Sequence, residues 1–344
     1  MSWQHIRGHE ALVSEFAHAF RRGRLAHAYL FTGPAGVGKR LFAVELAKTL
    51  LCERAATSDP WQACDGCASC KLVAAGNHPD LAIAGRPEDA NELPIQVVRD
   101  LCQTLALKSA FGRGKVAILD DADDLNEAAA NSFLKTLEEP PPQSHLILVG
   151  TSAQAQLPTI LSRCQLIAFR PLPDAVVRDL LRAQDVAEGT LLERVVKLAN
   201  GSPGQALALA DPELWDFRGA LIQAIARPPL DSVALSQQWM QFIEKAGKES
   251  VNQRRRASLT LQLLLDFLHD TLRVGVGAGP RSAEADELPL LRELAGRGDP
   301  DGMLDVIERV LEAEVQVNRY VQLVLAIEAL CDALGRGLQT GTAR

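Results

Sequence analysis

The apolar run Ala28-Tyr-Leu-Phe-Thr32 passes straight into Gly33-Pro-Ala-Gly36-Val-Gly38-Lys39-Arg40, and from Leu41 apolar residues recur at helical spacing through Phe42, Val44, Leu46, Leu50 and Leu51. A strand, a glycine loop and a helix in that order commit the chain to a sheet with helices packed on its faces. The spacing of Gly33, Gly38 and Lys39 fits G-x-x-x-x-G-K-[ST], in which bare backbone N–H groups and a helix N-terminus surround phosphates while the lysine adds a point charge. Arg40 breaks the pattern at its last position. A Ser or Thr hydroxyl there holds Mg²⁺, whereas a fixed guanidinium repels it. Such a loop can sequester phosphate and still be a poor hydrolase. The alternative, a glycine turn with no ligand, is disfavoured by the flanking strand and helix.

The rest of the first half repeats the alternation. Asp80-Leu-Ala-Ile-Ala84, Val116-Ala-Ile-Leu119, His145-Leu-Ile-Leu-Val149 and Leu166-Ile-Ala-Phe169 read as strands, the central ones continuously apolar as a parallel sheet covered on both faces requires. Residues 3–26, 95–105 and 126–137 read as helices, giving a doubly wound α/β domain over residues 1–168. Asp120, at the end of the second of these strands, stands where such a fold holds Mg²⁺. Asp121 stands where a water-activating Glu is expected and is one methylene too short. Asp123 and Asp124 read as the solvated cap of the next helix. The Thr151 and Ser152 hydroxyls follow the third strand and point to the same crevice.

Cys52, Cys64, Cys67 and Cys70 interrupt this pattern, the last three spaced C-x₂-C-x₂-C. Thiolates so close can share one tetrahedral Zn²⁺, with Cys52 as the fourth ligand, and a four-thiolate site has no open position for chemistry. The module at residues 52–70 therefore reads as a structural staple; the alternative is four free thiols. His78 reads as a turn residue before Pro79 rather than a ligand. Seven cysteines in a chain whose N-terminus, Met1-Ser-Trp-Gln-His-Ile-Arg, has no signal-like apolar core suggest reduced thiols or a metal and a cytoplasmic location. No apolar run is long enough to cross a membrane. The net charge of −7 argues against a protein that grips nucleic acid over its own surface.

Pro171 and Pro173 mark a boundary. Beyond it, residues 169–211 read as a small helical unit, with Asn200-Gly201 ending one helix and Ser202-Pro203 opening the next. From residue 212 every long apolar pattern is helical, including one from Leu304 to Leu334, so residues 212–344 read as an all-α bundle. Arg254-Arg-Arg256 reads as a solvated basic cluster, with DNA or partner contact as the alternative. Gly275–Asp286 reads as a loop and Gln339–Arg344 as a frayed tail.

Four stretches together resemble bacterial clamp-loader subunits of the AAA+ class: His27-Ala-Tyr-Leu-Phe31, the four-cysteine insertion, Asn131-Ser-Phe-Leu-Lys-Thr-Leu-Glu-Glu-Pro-Pro141 and Leu161-Ser-Arg-Cys164. The resemblance covers the first two domains by motif and the third by helical character and position. It implies a RecA-like, P-loop AAA+ domain with a structural zinc insertion, a helical lid and an all-α C-terminal collar. Two subunit types share these marks, the ATP-hydrolysing tau/gamma type and a type whose own nucleotide site is degenerate. Arg40, Asp121 and Gly204, which replaces a phosphate-sensing arginine in Gly201-Ser-Pro-Gly204, place the chain nearer the second type, as does its ending after one collar-like bundle. Lys39 departs from that type, which can lack the lysine, and leaves ATP binding open.

The resemblance implies little or no intrinsic ATPase and a place in the DNA polymerase III holoenzyme, a DNA-directed DNA polymerase. Gly33, Gly36, Gly38, Lys39, Arg40, Asp120, Asp121 and Thr151 would form the degenerate nucleotide site, and Arg163 of Ser-Arg-Cys would act as an arginine finger in a neighbour's site. Partners would be tau/gamma and delta subunits in a hetero-pentamer, with the sliding clamp and primed DNA reached through the complex. The alternatives are an active tau/gamma-like ATPase and a zinc-dependent nucleic-acid-binding module; the acidic balance and the scarcity of aromatics near Cys64–Cys70, where Trp61 stands alone, argue against the latter.

Overall fold

Five short apolar segments pair side by side as one parallel sheet: β1 (Ala28–Thr32), β2 (Leu81–Ala84), β3 (Lys115–Leu119), β4 (Ser144–Val149) and β5 (Gln165–Ala168), in the order β2-β3-β4-β1-β5. The computed structural model describes residues 2–58, 60–87, 90, 92–297 and 300–338. These form two compact units, one of residues 1–184 with 200–205, the other of residues 185–199 with 206–344. In the first, Tyr29 of β1 lies opposite Ile147 of β4 and Gln165 of β5, which places the glycine loop after β1 where the strand order reverses.

Helices cover both faces of the sheet because alternate side chains of each strand point opposite ways. Leu30, Leu119 and Leu148 pack on α4 (Ile95–Ala106) and α5 (Glu127–Glu138) through Val98, Leu101, Phe133 and Leu137. On the other face Phe31 meets Phe16 of α1 (Glu10–Arg21) at 6.1 Å, Phe42 of α2 (Lys39–Leu51) at 5.8 Å and Phe169 at 5.1 Å between ring centroids. The first helix is shorter than its apolar spacing predicts. Gly8 takes a left-handed φ of 83° and donates its N–H to Glu10 Oε1 at 2.8 Å, separating α1 from a 3₁₀ turn at Ser2–His5. The cysteine insertion carries α3 (Ala68–Ala74), and the remaining helices of this unit are α6 (Pro158–Leu161) and α7 (Asp174–Arg182).

In the second unit are α8 (Gly189–Leu198), α10 (Pro212–Ala226), α11 (Ser232–Glu244), α12 (Ser250–Gly275), α13 (Leu288–Ala295), α14 (Pro300–Asn318) and α15 (Leu323–Gly337); α9 (Pro203–Leu209) starts in the first unit and ends in this one. Its core is built round Trp239 and Phe267, both fully buried. The apolar pattern from Leu304 to Leu334 proves to be two helices, broken where Tyr320 turns left-handed at φ 60°. Arg254 fixes that break: Nη1 donates to Val317 O at 2.9 Å and Val321 O at 3.0 Å, and the guanidinium lies 4.6 Å from the Tyr320 ring. Arg256 pairs with Asp211 at 3.2 Å and Glu213 at 3.4 Å, so only Arg255 of the basic cluster stands exposed. The expected tail at Gln339–Arg344 lies outside the described residues. Among those residues no helix is long and apolar enough to cross a membrane.

The loop after α12 is tied down by Asp270, whose carboxylate accepts the N–H groups of Arg281, Ser282 and Ala283 at 2.5, 2.9 and 2.7 Å. One turn earlier, burial pushes the Asp266 carboxyl up to about 6, with Asp270 adding to it and Arg281 opposing. In an unfolded chain the same group titrates near ~3.9. Between these values the folded state binds a proton that the unfolded state does not, so Asp266 adds stability as pH falls from about 6 towards 4 and withdraws it as pH rises. The difference in melting temperature between the wild type and Asp266→Asn should therefore shift in the wild type's favour across that window on acidification; a pH-independent difference would contradict the burial argument.

Candidate functional site

The loop after β1 is shaped by three glycines with left-handed backbone, Gly33 at φ 138°, Gly36 at 76° and Gly38 at 102°. Gly38 caps α2, so the first-turn N–H groups of that helix have no intrahelical partner and open toward the loop. Gly36, Gly38, Lys39, Arg40, Asp120, Asp121 and Thr151 line one cleft of about 340 Å³, together with Asp123 and Gly150. Gly33 lies behind it, its N–H bonded to Thr151 O at 2.9 Å and its Cα so close to Phe169 that a Cβ would fall 2.2 Å from the carbonyl oxygen.

The charges in the cleft are spoken for by the chain itself. Lys39 is buried, and its ammonium donates to Gly33 O at 2.6 Å and Pro34 O at 2.7 Å. Burial lowers its proton affinity, while Asp123 and Asp120 raise it. Arg40 Nε lies 3.4 Å from Asp120 Oδ2. Burial raises the Asp120 carboxyl and Asp121 raises it further, against the Asp121 N–H, Arg40 and Lys39. Asp121 itself sits in left-handed backbone at φ 54°, with Oδ2 accepting the Arg86 N–H at 3.3 Å.

Two features were not foreseen from the sequence. Asp123 is no solvated cap: its carboxylate takes the Thr151 N–H at 2.6 Å and Gln156 Nε2 at 2.5 Å, tying the end of β3 to the end of β4. Asp124 pairs with Arg86 Nε at 2.6 Å, and the cap of α5 is Asn126, which accepts the Ala129 N–H at 2.9 Å. Secondly, residues 202–204 sit directly on the glycine loop. Ser202 Oγ donates to Ala35 O at 2.8 Å, Gly204 N donates to Gly36 O at 2.9 Å, and a Cβ on Gly204 would lie 2.8 Å from Gly36 Cα.

Arg163 lies outside this cleft's lining, in the turn between α6 and β5. Its Nε and Nη2 both donate to Glu138 Oε1, the former at 2.9 Å, and Nη1 donates to Thr159 O and Ser162 Oγ, each at 3.0 Å. Burial pushes the adjacent Cys164 thiol up to about 12, so the cysteine of this motif stays protonated and inert.

The cysteines converge as their spacing predicts. One sulfur from each of Cys52, Cys64, Cys67 and Cys70 lies within 4.8 Å of the others. Four sulfurs at about 2.3 Å from a tetrahedral Zn²⁺ stand roughly 3.8 Å apart, so the set fits a structural zinc with little adjustment. Backbone N–H groups already aim at the sulfurs, Cys64 N to Cys52 Sγ at 3.3 Å and Cys70 N to Cys67 Sγ at 3.4 Å. His78 is buried apart from them: Nδ1 accepts the Asp80 N–H at 3.0 Å and Nε2 lies 2.8 Å from Ser69 Oγ, so neither ring nitrogen is left for a metal.

Residues 8–173 match the family model described as DNA polymerase III, delta subunit. The DNA polymerase III subunit delta' of Pseudomonas aeruginosa is 39% identical over 62% of this chain and 65% of its own length. The corresponding subunit of Escherichia coli is 30% identical over 87% of this chain and 85% of its own. The chain belongs to the family of DNA polymerase III delta-prime subunits. A solved DNA polymerase III gamma subunit-related protein from Thermotoga maritima has the same fold, with a TM-score of 0.50 over 95% of this chain and 99% of its own at 16% identity.

Membership of the delta-prime family sets the chain apart from the tau/gamma type among the clamp-loader subunits that the motifs resemble. The contact between residues 202–204 and the loop has a direct test. Gly204→Ala forces a methyl group against the Gly36 backbone and should cost about 1–3 kcal/mol. Gly219→Ala, on an exposed helical site with nothing within 4 Å, should instead gain up to about 1 kcal/mol. Equal thermal midpoints for Gly204→Ala and the wild type would contradict the close approach.

Proposed function

We propose that this chain is the non-hydrolysing stator of a clamp-loader hetero-pentamer with tau/gamma and delta subunits. It serves the loading of a sliding clamp onto primed DNA by lending Arg163 to a neighbour's nucleotide site. The observation that carries this reading is the contrast between two arginines. Arg40 stands beside Asp120, where a metal would bind, and Arg163 stands outside the cleft, part-exposed at a turn. In a head-to-tail ring each subunit presents one face to the active site of the next, which lets an arginine act away from its own pocket. A finger given in trans stabilises charge on the γ-phosphoryl oxygens and is worth roughly 10³–10⁵ in rate.

The other parts have matching roles. Gly33, Gly36, Gly38, Lys39, Arg40, Asp120, Asp121 and Thr151 form a degenerate nucleotide site that does not hydrolyse ATP. Zn²⁺ held by Cys52, Cys64, Cys67 and Cys70 pins the insertion after α2. Residues 1–168 act as the AAA+ domain, 169–211 as its lid and 212–344 as the collar. Leu304, Leu311 and Val315 support the last assignment, since they lie along one side of α14 and are each more than 40% exposed, as an oligomerisation face requires. The complex works in the cytoplasm.

Arg163→Ala tests the central role. In a loader reconstituted from all its subunits the variant should assemble normally and lower DNA-stimulated ATP turnover; wild-type turnover from that complex would contradict a trans role.

A further inference from the structure

We infer that Glu138 is a positioning residue for Arg163, holding its guanidinium in one orientation before a neighbour's nucleotide reaches it. The inference rests on the trans role proposed above. A guanidinium has five N–H donors. Four bonds to its own chain engage Arg163: two to Glu138 Oε1 from Nε and Nη2, and two from Nη1 to Thr159 O and Ser162 Oγ. One N–H is left over, and the side chain is only 31% exposed although it sits at a surface turn.

The acceptors come from two fixed elements. Glu138 is the last residue of α5, whose Phe133 and Leu137 are buried under the sheet, and Pro140, Pro141 and Pro142 restrain the chain just beyond it. Thr159 O belongs to α6 and Ser162 caps it. The guanidinium is thus bracketed between the end of one helix and the end of another. An unrestrained arginine on a turn would have to lose its rotamer freedom in the transition state; here that ordering is already done. Glu138 is 51% exposed, so a phosphate dianion can displace it from the fork while Thr159 and Ser162 keep Nη1 in place. Neither Glu138 nor Arg163 lines this chain's own cleft.

The test is steady-state ATP turnover by reconstituted loader carrying Glu138→Ala, Glu138→Gln, Arg163→Ala or the Glu138→Ala/Arg163→Ala pair. Glu138→Ala should reproduce about half or more of the fall in kcat produced by Arg163→Ala, with KM unchanged, since misplacing a catalytic group costs up to ~10²-fold. Glu138→Gln, whose carboxamide oxygen still accepts from Nε and Nη2, should recover most of it. The pair should be no slower than Arg163→Ala alone. Wild-type kcat for Glu138→Ala beside an impaired Arg163→Ala would overturn the positioning role and leave the trans role standing, and so would an additive loss in the pair. Wild-type kcat for Arg163→Ala would overturn both.

Discussion

Asp120 follows β3 in the floor of a cleft, partly withdrawn from water, and its charge must be answered by something. In this chain the answer is covalently attached: Arg40, two residues into α2, places Nε 3.4 Å from Oδ2. A divalent cation about 4 Å from a guanidinium meets repulsion of roughly 8 kcal/mol at an effective dielectric near 20. Solvent around the exposed Arg40 reduces that figure without changing its sign. Lys39, bonded to two carbonyls of its own loop, adds a second cation already in use. On the reading proposed above, these two side chains do for this pocket what Mg²⁺ and phosphate do for a working one.

The segment at residues 201–205 follows from the same economy of space. Ser202 and Gly204 bond the carbonyls of Ala35 and Gly36, and the backbones meet so closely that position 204 has no room for a Cβ. An arginine reaching from position 204 to a bound phosphate cannot coexist with that contact. On the reading proposed above, glycine in place of a sensing arginine and direct packing on the loop are two aspects of one choice at position 204. The pocket is held together by its own residues, and on the reading proposed above Arg163, which lies outside it, serves a neighbour's site instead.

What the sequence made legible were features whose signal is local. β1 and β3 announce themselves as unbroken apolar runs because both faces of a parallel sheet are covered; the glycine loop needs backbone angles that few other residues adopt; the close spacing of the cysteines foretells the cluster their sulfurs form. What stayed illegible depends on pairs far apart in sequence. Asp123 reads as a helix cap because its partners Thr151 and Gln156 lie on another strand's loop, and nothing near Arg163 hints at Glu138 at the end of α5. Arg254 and Arg256 look like a basic surface until their acceptors on other helices are seen. Helix limits failed for a third reason: single left-handed residues, Gly8 and Tyr320, override an apolar period that continues across them.

A stator of this kind requires a pocket that cannot run the reaction it resembles. The most direct measurement is ATP turnover by the purified chain alone, with Mg²⁺ and primed DNA present and no other subunit. The account predicts no release of phosphate above the uncatalysed background, and steady turnover abolished by Lys39→Ala would contradict it.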